Sequence, residues 1–503
     1  MKIKYIKLKL LSVLSILILG VSCMEDEGNY DYTAINEVIF SNINSKYTIN
    51  RFDHLEITPN LDFTQDIDGS GNYEYTWKII NDIGGGAIKT VLSSERNLNE
   101  PITLLPGNYY GYFFVKDLST GVEYQYVGES LSAGSNHQYS FDLEVVNSLY
   151  EGWLVLSEAN GAPRLDMVSK INDTFSTVTD VLGGSTLTLT GSPKFVYAYA
   201  YDFNFYGIYV STSGNGTTKV EPNTFDWIPE YGIGAEFVTS QPYDLEVEHL
   251  EAQSGTISFA ILDGNAYFYY KTQSLKYSNT INQIGGIPFK VAPMIGKGES
   301  SGYAILYDTD NKRFVRSRLG NVSTFAPASS TKFDYNNTEM NLVYIISNNY
   351  AGLLGAATFS ILKDPATSKF YMAYVNASTS EQVFYGEITA TDFDQATQYA
   401  INPEFGYLFY TVGNKVYKYD FNLETTDMVL DKGTNEITLI KFHDFFSNKA
   451  EYVTKENHLM VCSYTENEGV IEFYSVPELS SQINLETTYT GFGKIKSVSY
   501  RER

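Results

Sequence analysis

Asp66, Asp68 and Ser70 alternate along Asp66-Ile67-Asp68-Gly69-Ser70-Gly71-Asn72. Oxygens at the first, third and fifth places of such a loop can converge on a hard cation, and the glycine permits the sharp turn. The stretch is a candidate structural Ca²⁺ site. A solvated hairpin turn is the competing reading, because Trp77 stands where a closing bidentate acid is needed. Gly298-Glu299-Ser300-Ser301-Gly302 spells a nucleophile elbow, which works only when strand, tight turn and helix present the serine. Here Tyr303-Ala304-Ile305-Leu306-Tyr307 follows and reads as a strand, so the context fails. The histidines, His54, His137, His249, His443 and His458, never stand at zinc-binding spacing. His443-Asp444 places a histidine beside a carboxylate, and it reads as an edge turn rather than half of a triad. Paired carboxylates about 5 to 9 Å apart could hydrolyse glycosides, but the 59 acids offer no way to choose a pair. No catalytic residue is singled out.

Thr224-Phe225-Asp226-Trp227-Ile228-Pro229-Glu230-Tyr231-Gly232 is the strongest ligand-facing stretch. Phe225, Trp227 and Tyr231 lie in a segment bounded by Pro and Gly rather than in an alternating strand. Loops carry function disproportionately, and aromatic rings there can stack on sugars or peptide side chains. The alternative is a loop held down by its own aromatics.

The first residues carry an address. Lys2, Lys4, Lys7 and Lys9 precede an apolar run from Leu10 to Gly20, too short to cross a bilayer of roughly 30 Å as a helix. Val21-Ser22-Cys23-Met24-Glu25-Asp26-Glu27 then places small residues before a cysteine and acids after it. This reads as a lipoprotein signal over residues 1–22, cut before a diacylated Cys23, with an acidic tether over 23–35. A Gly at position 20, with Leu19 one place early, departs from the usual signal, and the looser Bacteroidetes pattern accommodates it. The acidic tract looks like the one that sends such lipoproteins to the outer face of the outer membrane. The chain would be anchored by lipid rather than spanning.

Composition narrows the rest. The formal charge is −24, and losing the four signal lysines takes it to −28. That argues against nucleic acid, which rewards clustered Lys and Arg. The other cysteine, Cys462, sits in a strand-like run and reads as a small buried apolar residue, so no disulfide is expected. With 42 Tyr and 30 Phe among short alternating runs, the chain reads as all-β. Residues 36–147 contain strands at Leu55–Pro59, Tyr73–Ile79 and Tyr109–Asp117, with turns at Asp66–Gly71, Leu105–Asn108 and Ser119–Gly121, which suits an immunoglobulin-like sandwich with Trp77 in its core.

From residue 148 to 503 a hairpin recurs. Its turns fall at Asp263, Asp308, Asp364 and Gly413, at intervals of 45, 56 and 49 residues. A period of roughly 40 to 50 with several strands per unit marks a β-propeller blade, and about 350 residues allow seven. A pair of sandwiches built of unrelated hairpins is the alternative.

The chain resembles the PKD-like family of Bacteroidetes surface lipoproteins. The resemblance rests on Gly28-Asn29-Tyr30-Asp31-Tyr32, Tyr75-Thr76-Trp77, Pro106-Gly107-Asn108-Tyr109 leading into Val115-Lys116-Asp117, Tyr150-Glu151-Gly152-Trp153-Leu154-Val155-Leu156-Ser157, and Gly491-Phe492-Gly493-Lys494-Ile495-Lys496-Ser497-Val498-Ser499-Tyr500. These motifs are structural. The resemblance implies an accessory subunit of a SusC/SusD-type uptake machine, partnered by a TonB-dependent transporter and a SusD-like lipoprotein, binding an oligosaccharide or oligopeptide. A surface hydrolase and a structural adhesion module are the alternatives.

Overall fold

The structure is a computed structural model that describes residues 35–503, apart from residues 52, 82–87, 105, 129–138, 148, 172, 202–203, 299–301, 326–330, 354–355 and 480–481. The expected signal, the tether and Cys23 lie outside the described residues, as do the three central residues of the elbow-like string. The chain divides into a first unit ending at Val145 and a second running from Val146 to Arg503, with Leu104–Pro106 grouped with the second.

The first unit is a sandwich. Its larger sheet orders Lys46–Asn50, Phe141–Val146, Gly107–Asp117, Tyr73–Asn81 and Ile88–Ser93, with Glu123–Gln125 also on Gly107–Asp117. From Tyr109 to Asp117 every second residue is buried, the period of a strand with one face on a core. Two ribbons complete the unit: Val38–Ser41 with Asn60–Phe63, and His54–Ile57 with Leu98–Pro101. Trp77 is fully buried and stacks on Phe113 at 3.9 Å between centroids, while its Nε1 donates to the Glu95 carbonyl at 3.0 Å. A buried indole whose N–H is satisfied adds large area without a polar penalty.

The second unit is a seven-bladed propeller. Its seven blade sheets among the described residues are all antiparallel, and in blades 2 to 7 the strands of each sheet are sequential neighbours. The innermost strands of blades 2 to 7 are Pro193–Tyr201, His249–Ser254, Gly296–Lys297, Asn341–Asn348, Tyr399–Ile401 and Glu436–Lys441. Blade 1 is built from both ends of the unit: Lys494–Arg501 pairs with Gly152–Ala159, which continues to Ala162–Ile171 and Thr174–Val178. That pairing closes the ring.

Seven buried apolar clusters match seven blade interfaces. Leu154, Leu156 and Met167 of blade 1 meet Val196, Ile208 and Val210 of blade 2. The sequence continues around the ring to Trp153 and Val155 of blade 1 against Met460, Cys462 and Phe473 of blade 7. Each large apolar side chain buried this way contributes about 1.5–3 kcal/mol, so the interfaces, not disulfides, hold the ring. Cys462 is fully buried there.

The recurring hairpin is the second-to-third strand connection of blades 3, 4, 5 and 6. Asp263 and Gly264 both have positive φ, 50° and 66°, as a tight two-residue hairpin turn demands. Aspartate recurs at these turns because its carboxylate accepts the exposed turn amides. Asp308 takes Asp310 N at 3.1 Å and Asn311 N at 3.0 Å, and Asp364 takes Ala366 N at 2.7 Å.

Candidate functional site in the propeller channel

The innermost strands converge on the propeller axis, where a cavity of about 220 Å³ opens among them. Each blade that lines it contributes little. Glu251 and His249 come from blade 3, Lys297 from blade 4, Tyr344 from blade 5, Tyr197 from blade 2, Lys441 from blade 7 and Glu502 from just after the closing strand. His443 and Asp444 follow the inner strand of blade 7 and line the same cavity. This corrects the edge-turn reading of that pair. The chain leaves the blade toward the axis there, and Asp444 pairs with Lys297 rather than with His443.

Lys297 is the hub. Its ammonium lies 3.1 Å from Glu251 Oε1 and also meets Asp444 Oδ2, with the Phe446 ring 5.6 Å away. Burial alone would favour loss of its proton, but Asp444 and Glu251 outweigh burial and hold Lys297 above the usual lysine range. Burial likewise opposes charge on Glu251, yet Lys297 and His249 overcome it and hold this carboxyl down to about 2. His249 Nε2 lies 3.6 Å from Glu251 Oε2.

Around this hub the other groups are less well answered. Lys441 donates to the Val498 carbonyl at 3.1 Å, and burial pushes its pKa down. Burial, reinforced by Lys441 and Lys297, holds His443 well below the usual histidine range, so its ring is neutral. That ring is packed edge-on to Trp153 and Phe445, with centroids 5.2 and 4.6 Å away, and its buried Nδ1 has no hydrogen-bond partner. Glu502 accepts Phe446 N at 2.8 Å and Ser447 N at 2.9 Å, but burial still pushes it up to about 7. Glu456, in the helix Ala450–Glu456, is pushed up to about 8 by burial and then by the charge of Asp444. The arrangement is a small chamber whose wall carries paired charges, spare donors and an imidazole ring.

The Thr224–Gly232 stretch takes a different role. Phe225, at φ +60°, is fully buried in the core between blades 1 and 2. Trp227 packs half-buried on that core and its Nε1 donates to Thr218 Oγ1 at 2.8 Å. Tyr231 ends the short turn Pro229–Tyr231 and, with Tyr206 and Lys219, lines a hollow of about 120 Å³. The three rings do not share one surface.

In the Asp66 loop, the Asp66 carboxylate accepts Gly71 N and the Tyr73 hydroxyl, both at 2.8 Å, while Ser70 Oγ donates to Asp68 at 3.1 Å. These bonds lower the Asp66 pKa, the Gly71 amide most. One Asp66 oxygen closes the turn, and Asp68 is tied to its neighbour Ser70. Among the described residues no three His, Cys, Asp or Glu side chains are grouped as metal ligands. No described helix is long and apolar enough to cross a membrane.

Sequence reasoning did not select Lys297, Glu251, Lys441 or Glu502. The one local signal was the His443-Asp444 pair. The other signal was faint: a charged residue closing a partly apolar inner strand, as Lys441 does in Glu436-Ile437-Thr438-Leu439-Ile440-Lys441.

Residues 23–188 match the PKD-like family. This is less than half of the chain, and it covers the first unit and the opening strands of the propeller. No curated protein matches the chain. Among solved structures, a protein from Lactobacillus plantarum is 10% identical, covers 70% of this chain and 100% of its own, with a TM-score of 0.43. The Dos1 propeller is 8% identical over 70% of this chain and 88% of its own, at 0.39. The extracellular domain of a putative one-component system from B. thetaiotaomicron is 11% identical over 82% of this chain and 54% of its own, at 0.38. At such identities and scores these likenesses carry no functional weight.

Proposed function

We propose that this chain is a surface-exposed lipoprotein of the outer membrane, anchored through Cys23, that serves as a binding or assembly subunit of a SusC/SusD-type uptake complex. Its partners are a TonB-dependent barrel and a SusD-like lid lipoprotein, and its ligand is an oligosaccharide or oligopeptide. The anchor follows from the residues around Cys23, and the extracellular setting is supported by the PKD-like match. The observation that carries the binding role is the chamber on the propeller axis, where polar groups from several blades meet with hydrogen-bonding capacity left over.

A pull-down of tagged full-length protein from detergent-solubilised outer membrane, read by mass spectrometry, tests the proposal. Near-equal recovery of a large TonB-dependent barrel and a SusD-like protein is the expected result. Recovery of the lipoprotein alone would reject the uptake role.

A surface hydrolase is the second reading, favoured by one observation. Glu251 is held down to about 2 and Glu502 up to about 7 in a single cavity, the division of labour that acid–base pairs use. Turnover of a bound oligomer, abolished by Glu502→Gln, would establish it.

A further inference from the structure

The chamber's shape and charge narrow what can enter it, an inference that rests on the binding role proposed above. Pockets for drug-sized ligands run roughly 300–1,000 Å³. At about 220 Å³ this one takes a single ring-sized unit rather than a length of chain.

Charge excludes most candidates. A free anion would face Glu251 and Asp444, and a free cation would face Lys297 and Lys441. A zwitterion would need an ammonium and a carboxylate that are open. Here Lys297 is already shared by two carboxylates, Lys441 is held on the Val498 carbonyl, and both Glu502 oxygens are taken by the Phe446 and Ser447 amides. An aliphatic unit would strip water from the spare ammonium hydrogens of Lys297 and Lys441 and from the His443 ring in the chamber wall and offer them no partner, at about 1–3 kcal/mol for each group.

What remains is a neutral group with several hydroxyls. An ammonium carries three donors. Lys297 spends two on its carboxylates, and Lys441 spends one on Val498. Hydroxyls can accept from the spare donors, donate to carboxylate lone pairs and meet the His443 imidazole that lines the chamber, without breaking a single ion pair. The rings of Tyr197 and Tyr344 in the chamber wall supply apolar faces for the carbon skeleton. We infer that the channel chamber binds one uncharged sugar ring, at the end or at a branch of a neutral oligosaccharide.

The test is calorimetric titration of the detergent-purified full-length protein. The probes are neutral gluco-, manno-, xylo- and arabino-tetrasaccharides, a galacturonate tetrasaccharide, a glucosamine tetrasaccharide and uncharged tetrapeptides. At least one neutral sugar should bind while the charged sugars and the peptides do not. Lys441→Met and His443→Phe should each weaken that binding about tenfold or more, as loss of a hydrogen-bond partner in a closed site does. Phenylalanine keeps the packing on Trp153 and Phe445, and thermal melts verify that both variants fold.

Preference for the uronate, the amino sugar or the peptides would overturn the inference, as would binding that both variants leave intact or no binding across the panel. These results are separable from the pull-down. A transporter complex recovered with a chain that ignores neutral sugars leaves the uptake role standing and removes only the ligand assignment.

Discussion

Two of the propeller's lysine–carboxylate clusters differ in how fully their groups are answered. Between blades 2 and 3, Glu236 is met by Lys219 at 2.6 Å, Lys271 at 2.9 Å and the Tyr209 hydroxyl at 2.9 Å. The Lys271 ammonium lies over the Tyr269 ring at 4.1 Å, with Tyr199, Tyr206 and Tyr209 within 6 Å. In that cluster two lysines share one carboxylate, each oxygen taking one of them, and the tyrosines cover Lys271. On the axis, Lys297 is as well paired, but its neighbours His443, Lys441 and Glu502 are not, and they line a cavity of about 220 Å³, against the hollow of about 120 Å³ beside Lys219. A satisfied buried cluster fixes a structure, whereas one with leftover capacity beside a cavity invites a ligand.

The comparison breaks if both clusters respond alike to substitution. The largest effect is expected at the closed one. Glu236→Ala leaves the buried Lys271 ammonium and the partly exposed Lys219 without an anion and should cost about 3–5 kcal/mol in denaturant unfolding, with oligosaccharide affinity unchanged in protein that remains folded. Lys297→Met should cost less, about 1.5–3 kcal/mol, because water in the channel reaches the freed carboxylates. It should abolish binding, and adding Glu251→Gln should recover part of the stability but none of the affinity.

The pH dependence sharpens the same contrast. Glu456 and Glu502 sit at about 8 and 7 in the folded chain, against 4.5 as a reference. The folded state therefore keeps protons that the unfolded state has released. This contribution is complete below pH 4.5 and is lost as pH rises through 7 and 8. His443 runs the other way, being held neutral, but its contribution is complete above 6.5. Tm should fall between pH 6.5 and 8, and Glu456→Gln should flatten that fall.

Two smaller effects concern the sites proposed from sequence. Trp227→Phe removes the bond to Thr218 and should cost about 0.5–1.5 kcal/mol without affecting affinity. Millimolar calcium should leave Tm unchanged, since a cation that binds only the folded state would raise it and the Asp66 carboxylate already closes its own turn.

The blades were legible because each is local: two strands, a turn that wants Asp or Gly, and a spacing near 50 residues that repeats. The sandwich was legible through Trp77 and the alternation of Tyr109–Asp117. The chamber was not legible. Glu251, Lys297, Tyr344, Lys441 and Glu502 are each separated by some 45 residues or more of intervening blade, and only ring closure by Lys494–Arg501 brings them together. His443-Asp444 was visible as a pair, but its position depended on where the chain goes after Lys441. The Thr224–Gly232 aromatics stood out because they are contiguous, and contiguity says nothing about whether a ring faces out or, like Phe225, in.

Hydrogen exchange of the full-length protein, with and without a saturating mixture of the neutral tetrasaccharides, tests the central claim most directly. A ligand seated in the channel should slow exchange in residues 441–447 and 496–503 and leave residues 224–232 unaltered. Protection confined to residues 224–232, with the channel segments unaffected, would contradict the account.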